Sequence, residues 1–239
     1  MLRLTLLVFG LIWSTLSFSA IQILKTRVIL NEAEKEQSFI IRNTGNTPSL
    51  VQIWLSGKDD KGMNIPDNLP LNVTPPVARI NVAKDKVFRL FSIDGASAAL
   101  PKDRESVFWI NVLDVPSTTE QENKGNKLNI AFRTRIKAFY RPVGLKGTLI
   151  EAGENLKWSV KKESGSVIGT VTNNSPFHIS FARLELKEGE KIIASLPGDM
   201  VAPYSSSNVV FKKVKNSGDN INYQYISDLG AFVERKIKF

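Results

Sequence analysis

Leu128-Asn129-Ile130-Ala131-Phe132-Arg133-Thr134-Arg135-Ile136-Lys137-Ala138-Phe139-Tyr140-Arg141-Pro142-Val143-Gly144-Leu145 is the stretch on which the fold turns. Side chains alternate along a strand, so Leu128, Ile130 and Phe132 share one face while Asn129, Ala131 and Arg133 share the other. The pattern alone leaves two readings open. One is an ordinary half-buried strand. The other is an edge strand whose apolar row is offered to another chain; natural proteins avoid bare edges of this kind because they recruit partners. Pro142 and Gly144 end the run, which puts a boundary between two folding units near residues 142 to 147.

On either side of that boundary the chain reads as short strands. Ile21–Leu30, Gln37–Asn43, Leu50–Leu55, Val87–Ile93 and Ser106–Leu113 precede the long strand Leu128–Tyr140. Leu156–Val160, Val167–Thr172, Ile179–Leu186, Val209–Phe211, Tyr223–Ile226 and Ala231–Phe239 follow it. Gly, Asn, Pro or charged breaks separate them, and no amphipathic helix longer than two turns stands out. Regular short strands with turn signals between them predict an all-β protein of two β-sandwich domains, residues 20–142 and 147–239.

Residues 1–19 differ in kind. Arg3 supplies a positive charge, Leu4 to Leu16 is almost wholly apolar, and Ser17-Phe18-Ser19 sets small residues at the positions a signal peptidase requires. The apolar run is short for a bilayer, which needs about 20 helical residues. An export signal cleaved after Ser19 is expected, with a mature protein outside the cytoplasm and not stably inserted in a membrane.

The 239 residues contain no cysteine, so disulfides, thiolate nucleophiles and cysteine metal sites are excluded. The formal charge of +9 would attract anionic partners at long range. No phosphate-binding glycine loop and no nucleophile elbow is present, and no cluster of His, Asp or Glu has metal-ligand spacing. The single histidine, His178, reads as a packed or surface residue. The basic runs Lys212-Lys213-Val214-Lys215 and Arg235-Lys236-Ile237-Lys238 alternate with apolar residues and read as exposed strand faces. They lack the aromatic platforms of single-strand nucleic-acid binders. No enzyme, cofactor, metal or nucleic-acid partner is expected.

Six stretches together resemble the periplasmic pilus (fimbrial) chaperone family. They are Lys25-Thr26-Arg27-Val28-Ile29, Val73-Thr74-Pro75-Pro76, Leu100-Pro101-Lys102-Asp103-Arg104-Glu105-Ser106-Val107-Phe108-Trp109-Ile110-Asn111, Arg135-Ile136-Lys137-Ala138-Phe139-Tyr140-Arg141-Pro142, Asn174-Ser175-Pro176-Phe177 and Tyr225-Ile226-Ser227-Asp228-Leu229-Gly230. They occur in the family's order across the whole mature chain. The resemblance implies that the two sandwiches are immunoglobulin-like and set at an angle with a cleft between them. It also implies a periplasmic chaperone that binds, folds and caps pilus subunits by donor-strand complementation, a form of β-strand addition, and delivers them to an outer-membrane usher. The alternative is a structural pilus subunit or adhesin. Two domains, no cysteine and a donor-like row in mid-chain argue against it.

The resemblance also assigns roles. Arg27 and Lys137 match two cleft cations that anchor the C-terminal carboxylate of the pilus subunit. Leu128, Ile130 and Phe132 match the apolar row that fills the open groove of that subunit. Glu105, Arg141 and Asp228 match an ion network between the domains. Pro75 and Pro76 match a site where the family carries a cis proline. The short polar segment Pro116–Lys127 resembles the short-loop branch, which assembles rod-like pili. Arg133 and Arg135 make the strand unusually basic, and the resemblance offers no role for them.

Overall fold

The computed structural model describes residues 21–57, 68–93, 95–116 and 130–239. The expected signal segment, Leu128 and most of Pro116–Lys127 lie outside these residues.

Among the described residues the first domain holds nine strands: β1 (Ile21–Ile23), β2 (Arg27–Asn31), β3 (Glu36–Asn43), β4 (Ser49–Ser56), β5 (Leu71–Thr74), β6 (Val77–Ile80), β7 (Asp85–Ser92), β8 (Ser106–Pro116) and β9 (Phe132–Arg141). They form a four-stranded sheet, β1-β3-β7-β5, and a five-stranded sheet, β2-β9-β8-β4-β6. The alternating inward side chains of the two sheets meet. Phe39, Ile41, Phe88 and Leu90 come from the first sheet; Val28, Leu30, Val51, Ile53, Ile110, Ala138 and Tyr140 come from the second. Each fully buried large side chain contributes about 1.5–3 kcal/mol relative to exposure, so this interleaved layer holds the sandwich together.

The second domain opens with a short helix, α1 (Leu149–Glu154), whose start is fixed by a capping box: Thr148 Oγ1 accepts from Glu151 N and Glu151 Oε2 accepts from Thr148 N. Eight strands follow: β10 (Lys157–Glu163), β11 (Ser166–Asn173), β12 (Ile179–Glu188), β13 (Lys191–Pro197), β14 (Met200–Val201), β15 (Ser205–Lys212), β16 (Asn220–Ile226) and β17 (Phe232–Lys238). The sheet β10-β11-β15 faces the sheet β13-β12-β16-β17, to which β14 is attached through β12. Val167, Val171, Phe181, Leu186, Phe211, Ile221 and Tyr225 fill the space between.

Both domains secure the same corner in the same way. The buried Asn43, at the end of β3, donates to Thr47 O at 2.8 Å and Ile80 O at 3.0 Å. The buried Asn173, at the end of β11, donates to Phe177 O at 2.7 Å and Ala202 O at 3.0 Å. Each amide satisfies turn carbonyls that would otherwise be costly to bury.

The structure departs from the sequence reading in three places. The expected strand Ile21–Leu30 is broken: β1 pairs with β3 in one sheet, and β2 pairs with β9 in the other. Apolar periodicity runs through both halves and cannot register a change of sheet. Strands β5, β6 and β14 carry no clear signal in the sequence, because they are short and β5 and β6 flank Pro75-Pro76; β13 was also not expected, since Ile192-Ile193-Ala194 is a continuous apolar run without alternation. Finally, Lys212–Lys215 is not a strand face. Strand β15 ends at Lys212, and Lys213 takes a left-handed turn at φ 57°.

Candidate functional site: a free strand edge above a cationic cleft

The break between β1 and β2 creates the site. Residues Leu24–Thr26 carry the chain from one sheet to the other, and β2 joins β9 in parallel only from the pair Arg27–Lys137 onward. Strand β8 pairs with β9 along its other edge from Phe132 to Tyr140. Among the described residues, no strand is assigned to the outer edge of β9 before Lys137.

The apolar row lies on the core-facing side of β9 but runs past the covered part of the core. Tyr140 and Ala138 are buried, Ile136 is half-buried, Phe132 is 66% exposed and Ile130 is 51% exposed. Leu128, the third expected member, lies outside the described residues. Phe132 and Ile130 thus continue a buried face outward beside an edge that carries no strand among the described residues, the geometry that invites strand addition.

Arg133, Arg135 and Lys137 occupy the opposite face of β9. Arg135, left without a role by the sequence, has one here. Its guanidinium lies 5.5 Å from the Trp109 ring centroid and donates to Ser56 Oγ at 3.3 Å and Gly57 O at 3.2 Å. It ties the half-supported strand to β8 and to the end of β4.

Arg27 and Lys137 come together in the cleft between the domains. Arg27 is 5% exposed, donates from Nη1 to Ile226 O at 3.0 Å and lies 5.8 Å from the Phe139 ring centroid. Its Nε is buried with no acceptor among the described residues. Lys137 donates from Nζ to Ser180 Oγ at 2.9 Å. Burial, and secondarily the Arg27 charge, hold the Lys137 ammonium down at about 8, against its ordinary 10.5. Burial likewise pulls Arg27 down, opposed by the charges of Asp228 and Glu105. Two cations facing one crevice are each costly, and an anion bound between them would relieve both.

Arg141, at the end of β9, joins the domains. It donates to Glu105 Oε1 at 2.8 Å from Nε and to both Asp228 oxygens at 2.8 and 3.0 Å. Glu105 also accepts from the His178 backbone N–H at 2.8 Å, and its own N–H donates to Pro176 O at 2.9 Å. His178 itself is buried, tilted against Phe139, with Nδ1 3.4 Å from Glu105 Oε2. On the far side, Arg104 stacks over the Tyr204 ring at 4.9 Å. The Gly230 turn touches Thr26, where a Cβ would lie 2.7 Å from Oγ1. The peptide before Pro75 is cis.

The structure adds Ser180 and the Ile226 carbonyl to the expected residues. Both come from the second domain: Ser180 lies outside the six stretches, and Ile226 lies within Tyr225–Gly230 but acts through its main-chain carbonyl, which no residue type marks. No group of three or more His, Asp or Glu suited to a metal occurs among the described residues, and none of their helices is long and apolar enough to cross a membrane.

Fold and site together define a protein of two immunoglobulin-like β-sandwich domains with a cationic cleft, beside which β9 has no outer strand among the described residues. Residues 20–146 match the pili and flagellar-assembly chaperone, PapD N-terminal domain, and residues 151–237 match the pili assembly chaperone PapD, C-terminal domain. The chain belongs to this family of pilus-assembly chaperones. It is 38% identical over 228 residues to the probable fimbrial chaperone YadV of Escherichia coli K12, covering 93% of this chain and 91% of that one. It is 31% identical over 211 residues to the chaperone protein FimC of the same organism, covering 88% and 80%. The crystal structure of the YadV chaperone superposes with a TM-score of 0.73 at 35% identity, over 92% of this chain and 100% of that one. The Salmonella enterica SafA pilin in complex with the SafB chaperone gives 0.74 at 25% identity, over 95% and 99%.

Proposed function

We propose that this protein captures unassembled fimbrial subunits in the periplasm by lending them a strand, caps them, and hands them to an outer-membrane usher, without catalysis. The observation that carries this reading is the coincidence of two features. The part of β9 without an outer strand among the described residues ends at the residue pair Arg27–Lys137, and there a buried guanidinium and an ammonium converge.

The geometry also sets a direction. A terminal carboxylate held between Arg27 and Lys137 sits where β2 begins. A strand ending there and lying along residues 132–136 must approach in line with β2, hence parallel to β9. Its main chain would complete the ladder, while Phe132 and Ile130, with Leu128, would enter the groove that the incomplete subunit leaves open. Arg27 and Lys137 would fix the register, since a slip of one residue turns every side chain to the wrong face. Charge-assisted bonds to the carboxylate contribute about 1.5–3 kcal/mol each. Burial of each apolar side chain contributes about as much. Binding itself supplies the missing core, so no nucleotide is required.

The test is titration of the purified protein with peptides corresponding to the C-terminal strands of fimbrial subunits, with free or amidated termini. Capture is expected with the free carboxylate and weakened about tenfold or more by amidation. Equal affinity for both forms would overturn the anchor.

A further inference from the structure

We propose that Ser180, on the second domain, is a positioning residue for carboxylate capture: it holds the Lys137 ammonium at the mouth of the cleft and so makes capture depend on how the second domain is docked. This rests on the reading that Arg27 and Lys137 receive a terminal carboxylate.

Lys137 belongs to the first domain by its backbone but is held from the second by its charge. Its Nζ crosses the interdomain gap to Ser180 Oγ, 2.9 Å away. Ser180 is 1% exposed. It is pinned on β12 by pairing with Met200 of β14, next to the pair Ile179–Val201. The hydroxyl is therefore a fixed point, while a lysine stem has four rotatable bonds and would otherwise sample the cleft. Arg27 is treated alike, with the Ile226 carbonyl of the second domain as its fixed point at 3.0 Å.

The chemistry of the fixed point matters as much as its position. An ammonium has three N–H donors; Ser180 engages one and leaves two for an incoming anion. A hydroxyl also leaves the charge unneutralised. An aspartate at this position would form a permanent ion pair and compete with the ligand. The other groups facing Lys137 are Arg27 from β2, which disfavours its charge, and Asp199 from the turn before β14, which favours it. Beyond them, Glu105 and Asp228 act on Arg27, and His178 lies against Phe139 on β9. Removing the Ser180 hydroxyl takes away a direct bond to the charged form, which moves the ammonium titration downward.

Two measurements on the full mature chain test this. The Lys137 side chain, assigned with a Lys137→Gln variant, is titrated by NMR in the wild type, Ser180→Ala and Ser180→Thr. In parallel, each protein is titrated with a peptide matching the last strand of a fimbrial subunit, its terminus free or amidated. Ser180→Ala is expected to shift the Lys137 midpoint down by about half a unit or more and to weaken the free-carboxylate peptide about tenfold. The amidated peptide should bind as before, and Ser180→Thr should restore both properties. Ser180→Asp should raise the midpoint and still lose capture, which loss of fold would not produce. An unmoved midpoint in Ser180→Ala, or capture by Ser180→Ala as tight as by a wild type that discriminates the two peptides, overturns the role of Ser180 alone. A wild type that binds both peptides equally overturns the carboxylate anchor and this proposal with it.

Discussion

Arg27 and Lys137, 110 positions apart in the chain, are directly opposed register partners at the first pair of the parallel β2–β9 ladder. Parallel neighbours point their side chains to the same side, so the pairing puts both cations in one cleft. It also marks the point where β9 loses its outer neighbour. The paired cations and the edge without an assigned strand among the described residues are thus two consequences of one change of sheet between Ile23 and Arg27.

The same face of β9 should respond oppositely at its two ends. Phe132, 66% exposed, and Tyr140, 2% exposed, lie eight residues apart on one row. Phe132→Asp and Ile130→Asp are expected to leave the folding stability within about 1 kcal/mol of wild type while reducing the capture of fimbrial subunits at least about tenfold. Tyr140→Ala should cost about 3–5 kcal/mol of stability by opening a core cavity. Chemical denaturation, set beside co-purification of a fimbrial subunit, separates the two outcomes.

Capture should weaken above pH 8. The folded chain releases the Lys137 proton at about 8, whereas the ordinary lysine value is 10.5. Between those values the unfolded chain binds more protons, so this group makes stability rise with pH over that window. Capture needs the ammonium and should fall over the same window. Isothermal titration of a free-carboxylate peptide from pH 7 to 10 should show declining affinity with proton uptake on binding, and Lys137→Arg should flatten the decline.

Arg141→Ala should be strongly destabilising. It would leave the Glu105 carboxylate, with a side chain only 1% exposed, buried without its cation, a loss of about 3 kcal/mol or more. Asp228→Asn should cost less, because Asp228 is 35% exposed and solvent takes over part of its role. Thermal melts of the two variants give the order, and small-angle scattering should show the interdomain geometry altered in Arg141→Ala.

Gly230→Ala tests the contact at the other side of the cleft. The residue sits at φ 85°, where a side chain is strained, and its Cβ would press on Thr26 Oγ1. A loss of about 1–2 kcal/mol is expected. A melting temperature equal to wild type would show that the turn moves freely away from the first domain.

Much of this molecule was legible in its residues. Alternation along Leu128–Tyr140, the breaks at Pro142 and Gly144, and the strand runs on both sides define two sandwiches, because period-two burial is a local property of the chain. The residues of the cleft were legible by resemblance, through Arg27, Lys137, Glu105, Arg141 and Asp228. Arg135 was visible but unexplained, since its partners Trp109, Ser56 and Gly57 lie on other strands or at their ends.

Taken alone, the residue order determined which side chains share a face, since that depends on neighbours a few positions away. The tertiary structure decided where, among the described residues, β9 loses its outer strand and what holds the cations. Those depend on the crossing at Leu24–Thr26 and on Ser180 and Ile226 arriving from the second domain. Long-range pairing is settled by the packing of whole sheets, and no local periodicity encodes it.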